Sequence, residues 1–136
     1  MPTIPYLHFQ GQCAEALAFY ADVFASPAPQ LMRYGDGPGA ADAWKGSPRV
    51  MHGEVTIGGA KLMASDYPPG MEGAPQAGFS VMQSAPDVPT ARRYFDRLAD
   101  GGAVLDDLKA TFFSPGFGMV KDRFGTHWIV STVPAA

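Results

Sequence analysis

Tyr6-Leu7-His8-Phe9, a short apolar alternation, leads into a helix-like run, about Cys13 to Phe24, that carries Leu17-Ala18-Phe19-Tyr20. Past the midpoint the order returns. Gly78-Phe79-Ser80-Val81 leads into a helix-like run carrying Tyr94, Phe95 and Leu98. Both halves also close alike, on Ile57-Gly58-Gly59-Ala60-Lys61-Leu62-Met63 and on Arg123-Phe124-Gly125-Thr126-His127-Trp128-Ile129. A chain that says one thing twice implies two similar modules and a pseudo-symmetric domain with a cavity between sheets.

The intervening segments fill in each module. Ala14, Leu17, Ala21 and Phe24 fall on one face of the first helix. Strands are expected at 29–34, 49–57 and 60–66, the last two joined through Gly58-Gly59, a two-residue hairpin signal. Gly35 to Gly46 reads as a surface loop, and the proline-rich 67–75 as a linker between a module at 1–66 and another at 76–136. The second module is expected to open with a strand at 76–82. Its helix has Asp87 as N-cap, Pro89 in the first turn, Ala91, Tyr94, Phe95 and Leu98 as the buried stripe, and Gly101 as left-handed C-cap. Strands at 103–113, 117–121 and 126–133 complete an α+β order of βαβββ repeated once.

Composition narrows the function. At 136 residues the chain makes one domain with a real core. A net charge of −3 and no Lys/Arg cluster argue against nucleic acid. No apolar stretch is long enough to span a bilayer, and no basic segment precedes an apolar one, so a cytoplasmic protein is expected. The single cysteine, Cys13, excludes an internal disulfide and reads as a small buried residue. Asp106, Asp107 and Asp122 read as turn and surface acids. No Gly-x-Gly-x-x-Gly follows a strand and no Gly-x-Ser-x-Gly occurs, which removes a Rossmann-type and a hydrolase-type reading.

Strand alternation sorts the chemistry-bearing residues by face. Met51, Val55 and Ile57 belong under a helix, so His52, Glu54 and Thr56 share the opposite face. Leu7 and Phe9 send Tyr6 and His8 that way, and Trp128 and Val130 do the same for His127, Ile129 and Ser131. With Phe79 and Val81 in the core, Gln76, Gly78 and Ser80 join them. All three histidines, with Glu54 and Gln76, are thus expected on inner faces as a polar ligand site, and Phe112, Phe113 and Phe117 as core or dimer contact or as an apolar pocket wall.

The chain resembles the vicinal oxygen chelate superfamily of glyoxalase I, extradiol dioxygenases and bleomycin-resistance proteins. Within it the chain is similar to the PhnB-like branch, also labelled 3-demethylubiquinone-9 3-methyltransferase-like. The stretches that carry the likeness are Pro5 to Gly11, Glu15-Ala16, Phe19-Tyr20, Met51 to Gly59, Leu62 to Asp66, Tyr94 to Leu98, Gly101-Gly102, Thr111 to Phe113 and Phe117-Gly118 through Asp122 to Trp128. The resemblance implies a cupped mixed sheet of the glyoxalase/bleomycin-resistance/dihydroxybiphenyl dioxygenase type, a cavity built by two modules or two chains, and a homodimer. It does not imply one reaction.

The resemblance also implies four metal-ligand positions, which fall at Ile4 or Pro5, at or next to Met63, at Gln76 and at Ile129. Only Gln76 has a donor, and one neutral amide is a poor ligand for a divalent ion. The expectation is a small-molecule-binding protein without the superfamily's metal, using His8, His52, Glu54, Gln76, Phe112 and His127 as ligand contacts. The alternative is a metal-dependent lyase, isomerase or dioxygenase in which His8, His52, Glu54 and His127 form a displaced divalent-metal site. A third reading is an interaction protein whose cup is filled by its own side chains or a partner.

Overall fold

The computed structural model describes residues 1–37 and 39–133; Pro38, in the expected surface loop, lies outside them. The fold is α+β, with two helices and two four-stranded mixed sheets in two compact units, residues 1–75 and 76–136. In the first unit β1 (Tyr6–Phe9) is followed by α1 (Cys13–Val23), β2 (Gln30–Arg33), a 3-10 turn (Asp42–Trp44), β3 (Val50–Ile57) and β4 (Ala60–Asp66). In the second, β5 (Val81–Ala85) is followed by α2 (Val88–Ala99), β6 (Ala103–Lys109), β7 (Phe117–Lys121) and β8 (His127–Thr132).

The two sheets have one topology. The strand orders are β1-β4-β3-β2 and β5-β8-β7-β6, with one parallel pairing in each, β1 with β4 and β5 with β8. A parallel pairing needs a crossover, and the strand–helix–strand segment at the start of each module supplies it. The registers match as well: Phe9 pairs with Asp66 where Ala85 pairs with Thr132, and Met63 is opposite Glu54 where Ile129 is opposite Met119.

Local chemistry explains the element ends. Gly58 and Gly59 hold φ of 57° and 82°, the paired left-handed geometry that lets β3 return immediately as β4. Asp87 caps α2 by accepting from Thr90 N–H at 2.8 Å, and Gly101 leaves the helix at φ 74°. Helix α1 has no capping side chain of its own. Asp66, at the end of β4, takes that role from a distance by accepting from Gly11 N–H and Cys13 N–H with Oδ1 and from Val50 N–H with Oδ2.

Each helix covers one face of its own sheet. Leu7, Phe9, Leu17, Tyr20, Val55 and Leu62 are buried in the first unit, and Phe95, Leu98, Val120, Trp128 and Val130 in the second. Side chains of this size each contribute roughly 1.5–3 kcal/mol on full burial, so these two clusters dominate the stability of each unit. Gly53 fits that arrangement, because a Cβ there would sit 2.8 Å from Leu17 Cδ1.

Several expectations are corrected. The first strand of the second unit begins at Val81, not Gln76. Gly78 is left-handed (φ 79°) and breaks any extended run through 76–80. Phe79 is therefore exposed and Val81 half-buried, so neither is a core residue, and Gln76, Gly78 and Ser80 are on no strand face. The strand at 103–113 stops at Lys109. The buried face of α1 is Cys13, Ala16, Leu17, Tyr20, Ala21 and Val23, while Ala14 is only half-buried. Tyr94 is likewise half-buried. Asp122 is not a surface acid: it is buried, and accepts from Phe124 N–H, Thr126 N–H and Trp128 Nε1–H at 2.9–3.0 Å.

Candidate functional site

The face of each sheet turned away from its helix is where the sequence placed the chemistry. On the first sheet, pairing of Tyr6 with Met63 and of Met63 with Glu54 lays those three side by side across β1, β4 and β3. Strand alternation then adds His8 and Ser65 on one side of this row, and Lys61 and Thr56 on the other. His52, two residues before Glu54, completes the set.

These groups touch. Tyr6 Oη is 3.0 Å from His52 Nδ1, His52 Nε2 is 3.7 Å from Glu54 Oε2, and Lys61 Nζ is 3.7 Å from Glu54 Oε1. His8 Nδ1 lies 3.5 Å from Ser65 Oγ, and the His8 ring stacks on Tyr67 with centroids 5.5 Å apart. With Tyr6–His8 at 5.4 Å and Tyr6–His52 at 5.7 Å, four rings run as Tyr67–His8–Tyr6–His52 and end at a carboxylate–ammonium pair. Tyr67 is fixed from outside the sheet as well, because Arg49 Nη1–H binds its carbonyl at 3.0 Å and Gly73 packs on its ring so closely that a Cβ would fall 2.0 Å from Cζ.

The second sheet carries different side chains at the equivalent positions. Met82 stands where Tyr6 does, Ser84 for His8, Met119 for Glu54, Ile129 for Met63 and His127 for Lys61. Its helix-free face carries Met82, Met119 and Ile129 beside Ser84, Phe117, Lys121, His127 and Ser131, with Phe117 in the place of His52. The three histidines therefore occupy three different register positions. His127 Nδ1 is buried without a hydrogen-bond partner among the described residues, and so is Gln76 Oε1, whose amide Nε2–H donates to Thr126 Oγ1 at 3.1 Å. Phe112 is fully exposed, at the end of an edge-to-face series Phe112–Phe113–Phe117 with centroids 5.1 Å apart.

The rest of the chain narrows the chemistry. Burial, with the Asp66 carboxylate second, pushes the Cys13 thiol up to about 12, so it is no nucleophile at neutral pH. Among the described residues no three His, Cys, Asp or Glu side chains come close enough to hold a metal ion. His52 and Glu54 meet, but His8 turns its Nδ1 to Ser65 and His127 belongs to the other unit.

Comparison with known proteins places the chain. The family model for 3-demethylubiquinone-9 3-methyltransferase matches residues 2–131. The chain belongs to this family. Protein YjdN of Escherichia coli K12 is 32% identical over 98% of this chain and 96% of its own. Protein PA1353 from Pseudomonas aeruginosa is 34% identical, with a TM-score of 0.88 and 98% of each chain covered. A Bacillus cereus structure described as a putative 3-demethylubiquinone-9 3-methyltransferase, PhnB protein, is 25% identical with a TM-score of 0.78, covering 98% of this chain and all of that one. A Frankia glyoxylase/bleomycin resistance protein/dioxygenase domain shares the fold at 10% identity and a TM-score of 0.65, over 100% and 93% of the two chains. The chain is thus PhnB-like and shares its fold with a glyoxylase/bleomycin resistance protein/dioxygenase domain, and among the described residues there is no doubly wound parallel sheet of the kind a Rossmann-type methyltransferase needs.

Within a PhnB-like chain, the superfamily's metal positions can be tested on donor chemistry. Met63 and Ile129 are register equivalents on helix-free faces, and offer a thioether and a hydrocarbon. Ile4 offers nothing, Pro5 O already accepts from Met63 N–H, and the Gln76 amide is half engaged by Thr126. This donor set does not fit a divalent ion, which needs several anionic or imidazole ligands. What sequence reading missed is Tyr6 as the hydrogen-bond partner of His52, and Tyr67 as the far end of the ring series. Tyr67 sits in a proline-rich stretch read as linker. No helix among the described residues is long and apolar enough to cross a membrane.

Proposed function

We propose that this PhnB-like protein binds a small organic molecule on the helix-free face of its first sheet, without the metal its superfamily uses. The observation that carries this reading is the ring series Tyr67–His8–Tyr6–His52 leading to Glu54 and Lys61. Rings in line offer stacking area, and the charged pair beside them gives direction to a polar group. Register comparison supports it: the equivalents of Tyr6, His8, His52, Glu54 and Lys61 in the second sheet are Met82, Ser84, Phe117, Met119 and His127. A structural requirement common to both sheets would have given them similar residues. His127 Nδ1 and Gln76 Oε1 are further buried polar atoms without a partner among the described residues, which a ligand or water can satisfy. The protein acts as a homodimer, in keeping with the exposed Phe112–Phe113 pair.

A screen of polar metabolites by ligand-observed NMR tests this. Binders are expected that are lost in both Tyr6→Ala and His52→Ala and retained in Phe19→Ala, on the outer helix. Binders indifferent to Tyr6 and His52 overturn the assignment. Metal analysis after dialysis separates the competing chemistry: about one equivalent of transition metal, lost in His52→Ala, would establish the displaced metal site instead.

A further inference from the structure

The Tyr6–His52–Glu54 geometry does more than present polar atoms. Glu54 Oε2 lies 3.7 Å from His52 Nε2, beyond hydrogen-bond reach, and its negative charge favours the tautomer that carries the proton on that nitrogen. In that tautomer Nδ1 has the lone pair, and the Tyr6 hydroxyl, 3.0 Å away, is the donor to it. The three residues thus stand in the order hydroxyl, imidazole, carboxylate, the arrangement in which an imidazole draws a proton from a hydroxyl and a carboxylate stabilises the imidazolium that forms. Tyr6 is 40% exposed, so its oxygen is open to a bound molecule. Lys61, the cation beside Glu54, projects from the same face of β4 as Met63, the residue opposite Tyr6.

We propose that Tyr6, His52 and Glu54 form a metal-free acid–base relay acting on a small anionic molecule that carries a second, weakly acidic proton. The anion is held by Lys61. The molecule gives its proton to Tyr6 Oη as Tyr6 passes its own to His52 Nδ1. The bonding pair stays on the molecule, and the new imidazolium faces the Glu54 carboxylate. The reverse transfer returns a proton to the same or a neighbouring atom, so no oxidant, reductant or co-reactant is consumed. Tyr6 is the catalytic residue; His52 and Glu54 act through it. This proposal rests on the binding reading above, but its test needs no ligand, so the two can fail separately.

The probe is N-acetylimidazole, which acetylates tyrosine oxygen. The Tyr6 O–C bond forms, the reagent's C–N bond breaks, and the Tyr6 proton passes through His52 to the departing imidazole. Peptide mass spectrometry reads the rate at each tyrosine. Because Tyr6 is also the more exposed, the deciding comparison is between proteins. His52→Gln is expected to slow Tyr6 about tenfold while leaving Tyr67 and Tyr94 unchanged, and Glu54→Gln to slow it by less. A Tyr6 rate within about twofold of wild type in His52→Gln overturns the relay. Should that variant fail to fold, imidazole 15N NMR on the unmodified protein decides alone. A neutral His52 protonated on Nε2 supports the relay, and one protonated on Nδ1 overturns it.

Discussion

Asp66 and Thr132 hold the same register position in their two sheets, Asp66 opposite Phe9 and Thr132 opposite Ala85. Both are buried, yet they differ in what they satisfy. Asp66 accepts three backbone N–H groups, whereas Thr132 Oγ1 has no partner among the described residues.

Opposite mutational outcomes follow at these equivalent sites. Asp66→Ala strips acceptors from Gly11, Cys13 and Val50, two of which open α1. The expected loss is about 3 kcal/mol, since each buried donor left unpaired costs roughly 1–3 kcal/mol. Thr132→Val removes an unsatisfied hydroxyl at nearly constant volume and is expected to be neutral or to stabilise by up to about 1 kcal/mol. Urea denaturation at neutral pH measures both. A Thr132→Val loss as large as that of Asp66→Ala contradicts the account.

The same pair shows what sequence can carry. Repeated βαβββ order was legible because hydrophobic alternation, the Gly58-Gly59 hairpin and the Asp87 and Gly101 caps are local signals, set by residues a few positions apart. That His8, His52 and Glu54 share the helix-free face of their sheet was legible for the same reason, alternation along a strand. The start of β5 was not. Phe79 and Val81 alternate convincingly, and nothing local reveals that Gly78 turns left-handed before them. Partnerships across long sequence separations were also hidden: Tyr6 with His52, Asp66 with α1, and Asp122 with the Trp128 indole depend on how strands stack, which no short window contains.

Gly102 and Gly53 test how far close packing tolerates one added methyl group. A Cβ at Gly102 would fall 2.1 Å from Lys121 O, a backbone atom in a paired strand that cannot move aside. At Gly53 the nearest atoms are the tips of Leu17 and Leu31, at 2.8 and 3.0 Å, which can rotate. Gly102→Ala is therefore expected to cost more, about 3 kcal/mol against about 1 for Gly53→Ala, and to show it as a lower melting temperature. Equal losses would mean that the 101–103 backbone shifts freely.

Cys13 sets a pH dependence on the alkaline side. Burial and the Asp66 carboxylate raise its thiol from 9.0 to about 12 in the folded chain, with Arg33 opposing. A raised value means the folded state keeps a proton that the unfolded chain releases. The stabilisation is complete below pH 9 and is lost as pH rises from 9 toward about 12. Cys13→Ala is expected to flatten the fall in stability across that window relative to wild type. At pH 8 the native thiol should resist a disulfide reagent and react once the chain is unfolded in urea. Rapid native labelling would show that Cys13 is reached without unfolding.

Phe112 is an aromatic side chain held out in solvent by a structured turn. Thr111 and Ser114 close that turn through Thr111 N–H to Ser114 O at 2.8 Å and Ser114 N–H to Thr111 Oγ1 at 3.1 Å, and Ser114 Oγ–H is anchored to Thr132 O at 2.7 Å. Beyond its edge contact with Phe113, such a side chain buries nothing for the fold of its own chain. The turn has already fixed the backbone that carries it, an ordering cost that binding would otherwise add. If it joins two copies, as proposed, Phe112→Asp should leave the urea midpoint at micromolar protein almost unchanged in its monomer-specific phase and shift the light-scattering mass from dimer to monomer. Ser114→Ala, which loosens the turn while keeping the ring, should weaken the dimer by a smaller factor. A wild-type protein that is monomeric at micromolar concentration, or a dimer indifferent to Phe112→Asp, removes the ring from the interface.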